Sequence, residues 1–251
     1  MAERHFIAWG LHSVEAALTH AAEGVLELWL KDGELPAEAA RMGRMAEAAG
    51  ITAQRVPGKT LERLTEGAVH QGVVLRRRVP AGLALDDYLS RMPSATAYPL
   101  LLILDQIQDP QNFGACLRVA DGAGADAVLI PRDRSARLTG TVAKAASGAL
   151  DSVPIISVAN LARALDQLRA AGVWLVGAAH DAPATIYEGD FKLPLGLIFG
   201  SEATGLRQLT RAKCDHLRRI PMLGRLPSLN VSTATAITLF EVNRQRRGPS
   251  S

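Results

Sequence analysis

The chain has 251 residues, of which 48% are hydrophobic and 21% charged, a balance typical of globular proteins. No apolar run reaches the roughly 18 residues that a membrane-spanning helix needs, and the first residues lack the apolar region of a signal peptide. The composition therefore argues against a membrane or exported protein, and we expect a cytoplasmic one.

The net charge of +3 is modest, but the arginines occur in clusters. Clustered guanidinium groups suit contact with phosphate, although any single cluster could equally be solvated surface charge. The two cysteines, Cys116 and Cys214, are far apart, and no CxxC or HxxxH spacing occurs, so we expect free thiols and no metal. The arginine clusters are Arg76 to Arg78, Arg132 with Arg134 and Arg137, Arg218 with Arg219, and Arg244 with Arg246 and Arg247.

Residues 1 to about 78 are predicted to form a small α/β unit without a catalytic constellation. The histidines of this part are scattered in sequence, so they are interpreted as structural or RNA-contacting residues. The predicted strands are 6–10, 25–30 and 71–75, and the predicted helices are 12–21 and 36–49.

Residues 79–97 are rich in proline, alanine and serine and have weak periodicity, which predicts a linker and a domain boundary. From residue 98 to 251, short apolar strands alternate with helices of about ten residues, the pattern of a doubly wound parallel sheet. The predicted strands are 100–104, 127–130, 153–158, 173–177 and 195–199.

The first motif follows the first of these strands. Asp109 and Pro110 suit a helix start, with a capping carboxylate and a proline in the first turn. Asn112 is expected at the mouth of that helix. Arg118 lies among apolar and small residues, where an unpaired charge is expensive to bury. It therefore needs a partner, either a protein carboxylate such as Glu202 or a substrate phosphate.

Two further motifs follow later strands. The strand 195–199 stops on Gly200 and opens into a turn carrying Glu202, which could bind a hydroxyl or amine, or cap a helix starting near Thr204. The apolar run 220–222 is interpreted as another strand end, followed by a loop with Ser228. Because open α/β sheets bind ligands at the carboxyl ends of their strands, these polar groups predict a ligand site.

The last predicted helix runs from about Leu229 to Arg246, with Asn230 at its entry. Its β-branched residues lower its helix propensity, so we expect tertiary burial to stabilise it. Ile237, Leu239 and Phe240 are expected to face inward. No Walker A or GxGxxG motif occurs, and neither cysteine has a base nearby in sequence. The residues alone therefore do not name the reaction.

Three motifs, in this order and spacing, resemble those of the SpoU/TrmH family of RNA ribose 2′-O-methyltransferases. The N-x-G-x-x-x-R signature matches residues 112–118, G-S-E-x-x-G matches 200–205, and I-P-M-x-G…S-L-N-V-S-x-A-T matches 220–235. The N-terminal part, with Trp9-Gly10 and His70 to Val73, is similar to the L30e-like substrate-binding domain of the branch that modifies a 23S rRNA guanosine. Gln111 stands where relatives often have histidine, and Ala236 where they often have glycine.

The resemblance implies an S-adenosylmethionine-dependent enzyme with an α/β fold: a C-terminal trefoil-knotted SPOUT domain and a smaller N-terminal L30e-like domain. It implies 23S rRNA as substrate, a homodimer with the last helix at the interface, and no metal. A tRNA ribose 2′-O-methyltransferase, or a catalytically silent rRNA-binding assembly factor, remains an alternative. The implied catalytic residues are Arg118, Asn112, Glu202, Ser228 and Asn230. The implied cofactor contacts are Gly177, Gly200, Ile220 and Leu229.

Overall fold

The structure, a computed structural model, describes residues 5–92 and 98–247. By its contacts the chain forms two compact units, Met1–Ala81 with Arg137–Ser152, and Gly82–Ala136 with Val153–Ser251. The segment 137–152 thus packs with the first unit, although it interrupts the sequence of the second. The boundaries expected from the sequence, at residues 78 and 98, include no such segment and remain a prediction.

The first unit is built on a four-stranded sheet in the order β1-β4-β2-β3. β4 is antiparallel to both β1 and β2, whereas β2 and β3 are parallel. The predicted strands and helices of this part are present, but β3 and α3 are additional, because β3 reads AQRV and has no apolar pattern. The elements are β1 (His5–Trp9), α1 (Leu11–His20), a 3-10 turn (Ala22–Gly24), β2 (Val25–Lys31), α2 (Ala37–Ala48), β3 (Ala53–Val56), α3 (Gly58–Leu64) and β4 (Val73–Arg78).

The rest of the chain supplies the second unit and two helices of the first, α6 and α7. In chain order its elements are α4 (Leu85–Arg91), β5 (Leu100–Asp105), α5 (Pro110–Gly122), β6 (Ala127–Pro131), α6 (Gly140–Ala146), α7 (Ala149–Ser152), β7 (Ile155–Val158), α8 (Leu161–Ala170), β8 (Trp174–Ala178), β9 (Ala184–Thr185), a 3-10 turn (Ile186–Glu188), β10 (Leu195–Gly200), α9 (Gln208–Lys213), β11 (His216–Arg219) and α10 (Val231–Arg247).

The second unit contains a seven-stranded sheet in the order β7-β6-β5-β10-β8-β11-β9, and every strand pair in it is parallel. This confirms the predicted α/β fold with a parallel sheet. β10 inserts between β5 and β8, and its last residue, Gly200, pairs with Asp105 of β5. The order of strands therefore changes direction here, which is where open α/β sheets form ligand crevices.

Helices cover both faces of this sheet. Leu101, Ile103 and Ile198 form one core with α4 and α8. The alternate residues, such as Leu102 and Leu197, are equally buried and point to the other face. On that side α5 and α10 pack against each other and α10 contacts β10. The strands are therefore continuous apolar runs, as expected of a sheet buried on both faces.

Two sequence-based expectations need correction. Part of the predicted linker is folded, because α4 packs Leu85 and Tyr88 into the core of the second unit; its seven residues are too few to show periodicity. Residues 93–97 of that segment lie outside the described residues. The strand expected at 220–222 lies earlier in the chain, as β11, and ends at Arg219. Pro221 follows it and has no N–H to donate to a neighbouring strand.

Candidate active site

Residues from all three motifs meet at the carboxyl ends of β5 and β10. The side-chain amide of Asn230 donates from Nδ2 to Oδ1 of Asn112 at 2.8 Å and to Oε1 of Glu202 at 2.7 Å. Along the chain, Asn230 lies 118 residues from Asn112 and 28 residues from Glu202. The fold therefore assembles them, as the strand-end argument predicts.

The first turn of α10 holds Asn230 and Glu202 in place. Oδ1 of Asn230 accepts from the backbone N of Ser232 at 2.9 Å and from its Oγ at 2.6 Å, so Asn230 caps the helix. Oε1 of Glu202 also accepts from the backbone N of Val231 at 3.1 Å. A carboxylate is favoured at this positive end of a helix. Glu202 thus caps α10. The alternative prediction, that Glu202 caps a helix starting near Thr204, is wrong.

Asn112 is fixed by the start of α5. Oδ1 of Asp109 accepts from the backbone N of Asn112 at 2.7 Å, and Pro110 occupies the first turn of the helix. Both features of this helix start follow the expectation from the sequence. They leave the side chain of Asn112 available to accept from Asn230.

The turn after β10 explains both glycines of the second motif. A Cβ on Gly200 would lie 2.1 Å from the carbonyl carbon of Gly205, so only glycine permits this approach. Gly205 itself has φ of +66°, a left-handed conformation that favours glycine, and its amide donates to the carbonyl of Ser201 at 2.8 Å. The tight turn carries Glu202 toward α10.

Asp105, at the end of β5, is a contributor that the sequence analysis missed. Its side chain is fully buried, and Oδ2 accepts from Oγ1 of Thr210 at 2.6 Å and from Nε of Arg207 at 3.1 Å. The second oxygen pairs with Nη2 of Arg207 at 2.7 Å. Through these bonds Asp105 connects the end of β5, beside the Gly200 turn, to α9. A carboxylate closing a fully apolar strand was the available signal.

The four residues expected to contact a cofactor lie around the same strand ends. Gly177 is buried in β8, where a Cβ would come within 2.7 Å of Sγ of Cys214. Gly200 ends β10, Ile220 follows β11, and Leu229 lies two residues before α10. Their contact with a cofactor stays a prediction.

The loop between β11 and α10 offers backbone groups to a ligand. Leu223 and Leu226 are exposed by 100% and 72%, and Ser228 is exposed as well. Among the described residues, no backbone–backbone hydrogen bond involves residues 221–229. These backbone groups can therefore bind a ligand, and an adenosine is one whose edges offer matching donors and acceptors.

Two expectations about side-chain burial are wrong. Arg118 is exposed on α5, so the argument that its charge sits in an apolar environment does not hold. Phe240 on α10 is 53% exposed, whereas Leu239 is fully buried. Arg118 has apolar neighbours on both sides and Phe240 follows Leu239, but in both cases the turn of the helix directs the side chain outward.

Neither cysteine has the properties of a nucleophile. Burial raises the pKa of Cys116 to about 12, and burial likewise raises the pKa of Cys214 to about 12. Both are therefore protonated thiols near neutral pH, and neither forms a disulfide. Within residues 5–92 and 98–247, no group of three or more potential ligands could hold a metal ion. No helix of the same ranges is long and apolar enough to cross a membrane.

Several clustered arginines are engaged within the protein. Arg77 pairs with Asp151 and Arg76 with Glu27 in the first unit. In the second, Arg246 donates to backbone carbonyls, including that of Leu193 at 2.7 Å. These contacts stabilise the fold. Arg77, only 3% exposed, cannot reach a phosphate, whereas phosphate contact by the other clustered arginines stays a prediction.

Two family profiles match the chain. The profile of the SpoU rRNA Methylase family matches residues 99–240, and that of RNA 2′-O ribose methyltransferase substrate binding matches residues 7–78. The chain belongs to the SpoU rRNA methylase family. The matched range includes Asn112, Glu202 and Asn230, which meet at the strand ends.

Similarity to individual proteins extends over both parts of the chain. A 23S rRNA (guanosine-2′-O-)-methyltransferase of Shewanella oneidensis is 45% identical over 241 residues, which are 96% of this chain and 98% of the relative. The crystal structure of the SpoU methyltransferase AviRb from Streptomyces viridochromogenes, in complex with the cofactor AdoMet, has a TM-score of 0.81 and 26% identity, covering 98% of this chain and 92% of that chain.

A tRNA-modifying member of the family matches less of the chain. The A. aeolicus TrmH/SpoU tRNA modifying enzyme has a TM-score of 0.55 and 26% identity, and covers 65% of this chain and 84% of that chain. About a third of the present chain thus has no counterpart in that structure.

Proposed function

We propose that this protein transfers a methyl group from S-adenosylmethionine to the ribose 2′-OH of a guanosine in 23S rRNA. The observation that carries the proposal is the 45% identity to a relative named for that reaction, across 96% of this chain and 98% of the relative. The polar cluster of Asn112, Glu202 and Asn230 supports it, because the three family motifs supply one residue each. An enzyme acting on rRNA would work in the cytoplasm.

Modification of tRNA is the weaker candidate. The tRNA-modifying structure described above covers 65% of this chain, whereas the relative named for 23S rRNA covers nearly all of it. The profile for RNA 2′-O ribose methyltransferase substrate binding at residues 7–78 supports RNA as the substrate.

The cofactor, when bound, supplies a methyl group that its sulfonium has already activated. The task of the protein is therefore to position the ribose and to help its hydroxyl lose a proton. In this proposal the backbone around Gly177, Gly200, Ile220 and Leu229 holds the cofactor. The exposed loop 221–229 offers the donors and acceptors that this requires.

Arg118 has the central electrostatic role in the proposal. A guanidinium is effectively always protonated, so we infer that Arg118 stabilises developing charge on the ribose oxygen and the neighbouring phosphate rather than accepting the proton. Its exposed position on α5 suits contact with RNA. Asn112, Glu202, Ser228 and Asn230 would orient the ribose and the arginine.

A trefoil knot in the second unit and a homodimer belong to the same proposal. The exposed Phe240 on α10, 53% accessible, supports a dimer through that helix, because an exposed aromatic ring is favoured at protein interfaces. Light scattering during size-exclusion chromatography would measure the mass in solution. A monomer at all concentrations would contradict the dimer without affecting the proposed reaction.

Mapping 2′-O-methyl groups on RNA tests the function directly. Purified protein is incubated with S-adenosylmethionine and unmodified 23S rRNA, and, in parallel, with tRNA. We expect methylation of one guanosine ribose in the rRNA and none in tRNA. Methylation of tRNA alone would support the weaker candidate, and absence of transfer despite rRNA binding would indicate an assembly factor.

Arg118→Ala tests the inferred role of the arginine. We expect about a thousandfold loss of kcat, because a charge-stabilising group is removed from the transition state, with the Kd for S-adenosylmethionine within about twofold. The matched control is Arg132→Ala, another exposed arginine of the second unit, which should retain near-normal kcat. Retained activity in Arg118→Ala would overturn the assignment.

A further inference from the structure

A cleft lies at the amino ends of the strands, opposite the end that carries the motif residues. Trp174, Leu195 and His216 are the first residues of β8, β10 and β11, and they form its floor with Val176 and Arg218. One wall is the segment 189–193. Its volume is about 180 Å³. β10 separates this end from Gly200 by roughly 17 Å, at about 3.3 Å per residue.

The cleft presents a flat aromatic surface to solvent. The rings of Trp174 and His216 are stacked, with centroids 5.6 Å apart and an interplanar angle of 9°. Trp174 is nevertheless 46% exposed. Large exposed aromatics are costly to leave in water, and a parallel pair offers an outer face on which a third planar ring can stack.

Polar groups beside the stack match the rest of a nucleotide. Arg218 lines the cleft, and its Nε is buried without a hydrogen-bond partner among the described residues. Nε itself is too buried for a ligand to reach, but Arg218 as a whole is partly exposed, and its guanidinium can donate to a phosphate oxygen. Asp190 lines the same cleft and can accept from the amino or imino donors of a base.

The wall of the cleft is rigid, which favours binding. Gln245 of α10 accepts from the amide of Phe191 at 3.0 Å and donates to the carbonyl of Gly189 at 3.1 Å. Arg246 donates to the carbonyl of Leu193 at 2.7 Å. Because the cleft is ordered before a ligand binds, binding costs little conformational entropy of the chain.

We propose that the cleft formed by Trp174, His216, Arg218 and Asp190 binds an unpaired nucleotide of the RNA substrate, away from the methylated ribose. The base stacks on the Trp174–His216 pair, Arg218 contacts its phosphate, and Asp190 accepts from the edge of the base. This inference rests on the proposed function for its ligand, since it takes the partner to be RNA. A second contact point would orient the RNA along the sheet.

Binding of RNA by the full chain tests the proposal. The probe is a fluorescein-labelled single-stranded RNA of about twelve nucleotides, compared with the same sequence as a duplex. We expect Trp174→Ala to weaken single-strand binding by about tenfold, since stacking of a base on an aromatic residue is lost. Trp174→Phe should recover most of the affinity. Arg218→Gln should lower the slope of log Kd against log salt by about one.

A control variant and an oligomer measurement make the test specific. Tyr187→Ala removes another exposed aromatic of the second unit, 54% accessible, that does not line the cleft, and it should bind like the parent protein. Unchanged affinity in Trp174→Ala would overturn the proposal. A change of mass in solution on Trp174→Ala would overturn it too, because a second copy of the chain would then cover the cleft.

Tryptophan fluorescence separates RNA from a free nucleotide. RNA should quench the parent protein more than Trp174→Phe, because the other two tryptophans lie outside the cleft. Quenching by GMP but not by RNA would contradict an RNA ligand. If methyl transfer to rRNA fails while Trp174-dependent RNA binding persists, only the proposed function fails. If transfer is intact and Trp174→Ala binds normally, only this inference fails.

Discussion

Each unit holds a polar cluster joined by short hydrogen bonds, yet the two clusters differ in exposure. In the first unit, Arg77 and Asp151 form a two-pronged pair at 2.8 and 2.5 Å, with side chains only 3% and 2% exposed. In the second, Asn112, Glu202 and Asn230 bond to one another at the surface. The first cluster is an ion pair and the second is joined by a side-chain amide, and their surroundings differ as well.

Exposure decides what each cluster can do. The Arg77–Asp151 pair is closed to solvent, and the ring of Phe6 lies 5.8 Å from the guanidinium, so no ligand can reach it. Its function is to hold the segment 137–152 within the first unit. The Asn230 cluster satisfies the first turn of α10 and still faces solvent, so it can exchange partners when substrate binds. In this chain the exposed Asn230 cluster can therefore act as a site, whereas the sealed Arg77–Asp151 pair is structural.

Asp151→Ala should have the largest effect on stability. Removing one partner leaves Arg77 charged and buried, which costs about 3–5 kcal/mol of the free energy of unfolding. Urea unfolding can report the first unit alone in a Trp174→Phe background, because Trp9 and Trp29 both belong to that unit. If Asp151→Ala lowers the free energy of unfolding by less than about 1 kcal/mol, the comparison fails, since the pair would then behave as an exposed one.

Two further variants sharpen this measurement. Glu27→Ala removes the partner of Arg76, whose side chain is 39% exposed, and should cost less than about 1 kcal/mol. The double variant Arg77→Met with Asp151→Leu removes both charges and should recover most of the stability, because no buried charge is left unpaired.

The sequence predicted those parts of the fold that depend on long apolar patterns. Strands such as β5 and β10 are continuous apolar runs, and the helix start at Asp109 has a local signature, so both were found. β3 and β11 were missed or misplaced because AQRV and HLRR have no apolar pattern; neighbouring strands, not propensity, hold them in the sheet.

The residues of the polar cluster could be named from the sequence, but their contacts could not, and their catalytic roles stay a prediction. The three motifs identified Asn112, Glu202 and Asn230, whereas the hydrogen bonds that join them depend on tertiary packing of α5 and α10. The exposure of Arg118 and, in the first unit, the pairing of Arg77 with Asp151 likewise depend on tertiary structure, because sequence neighbours do not specify which way a side chain points. Asp105 was missed because its partners, Arg207 and Thr210, lie about a hundred residues away.

Glu202→Ala tests the exposed cluster. Loss of the carboxylate removes the acceptor for Asn230 and Val231, so the start of α10 should shift and kcat should fall about a hundredfold. The effect on stability should be only about 1 kcal/mol, as for other helix caps. Glu202→Gln keeps the accepting oxygen and should retain most of the stability. If Glu202→Gln also restores kcat fully, Glu202 acts by positioning and its charge is not needed.

His70, in the first unit, is an intermediate case with the smallest expected effect. It is partly buried, and its Nδ1 accepts from the amide of Gly72 at 3.1 Å. Burial lowers the pKa of His70 below its usual 6.5; Glu62 opposes this and Lys31 adds to it. The unfolded chain therefore binds the proton more readily, so the free energy of unfolding should fall as the pH drops below about 6.5 and be insensitive to His70 above it.

His70→Asn can still accept from Gly72 but does not titrate. Urea unfolding in the Trp174→Phe background is measured at about pH 7.5 and about pH 5.5. The free energy of unfolding should differ less between the two pH values for this variant than for its parent. An equal difference would show that His70 is as open to solvent as the Asn230 cluster.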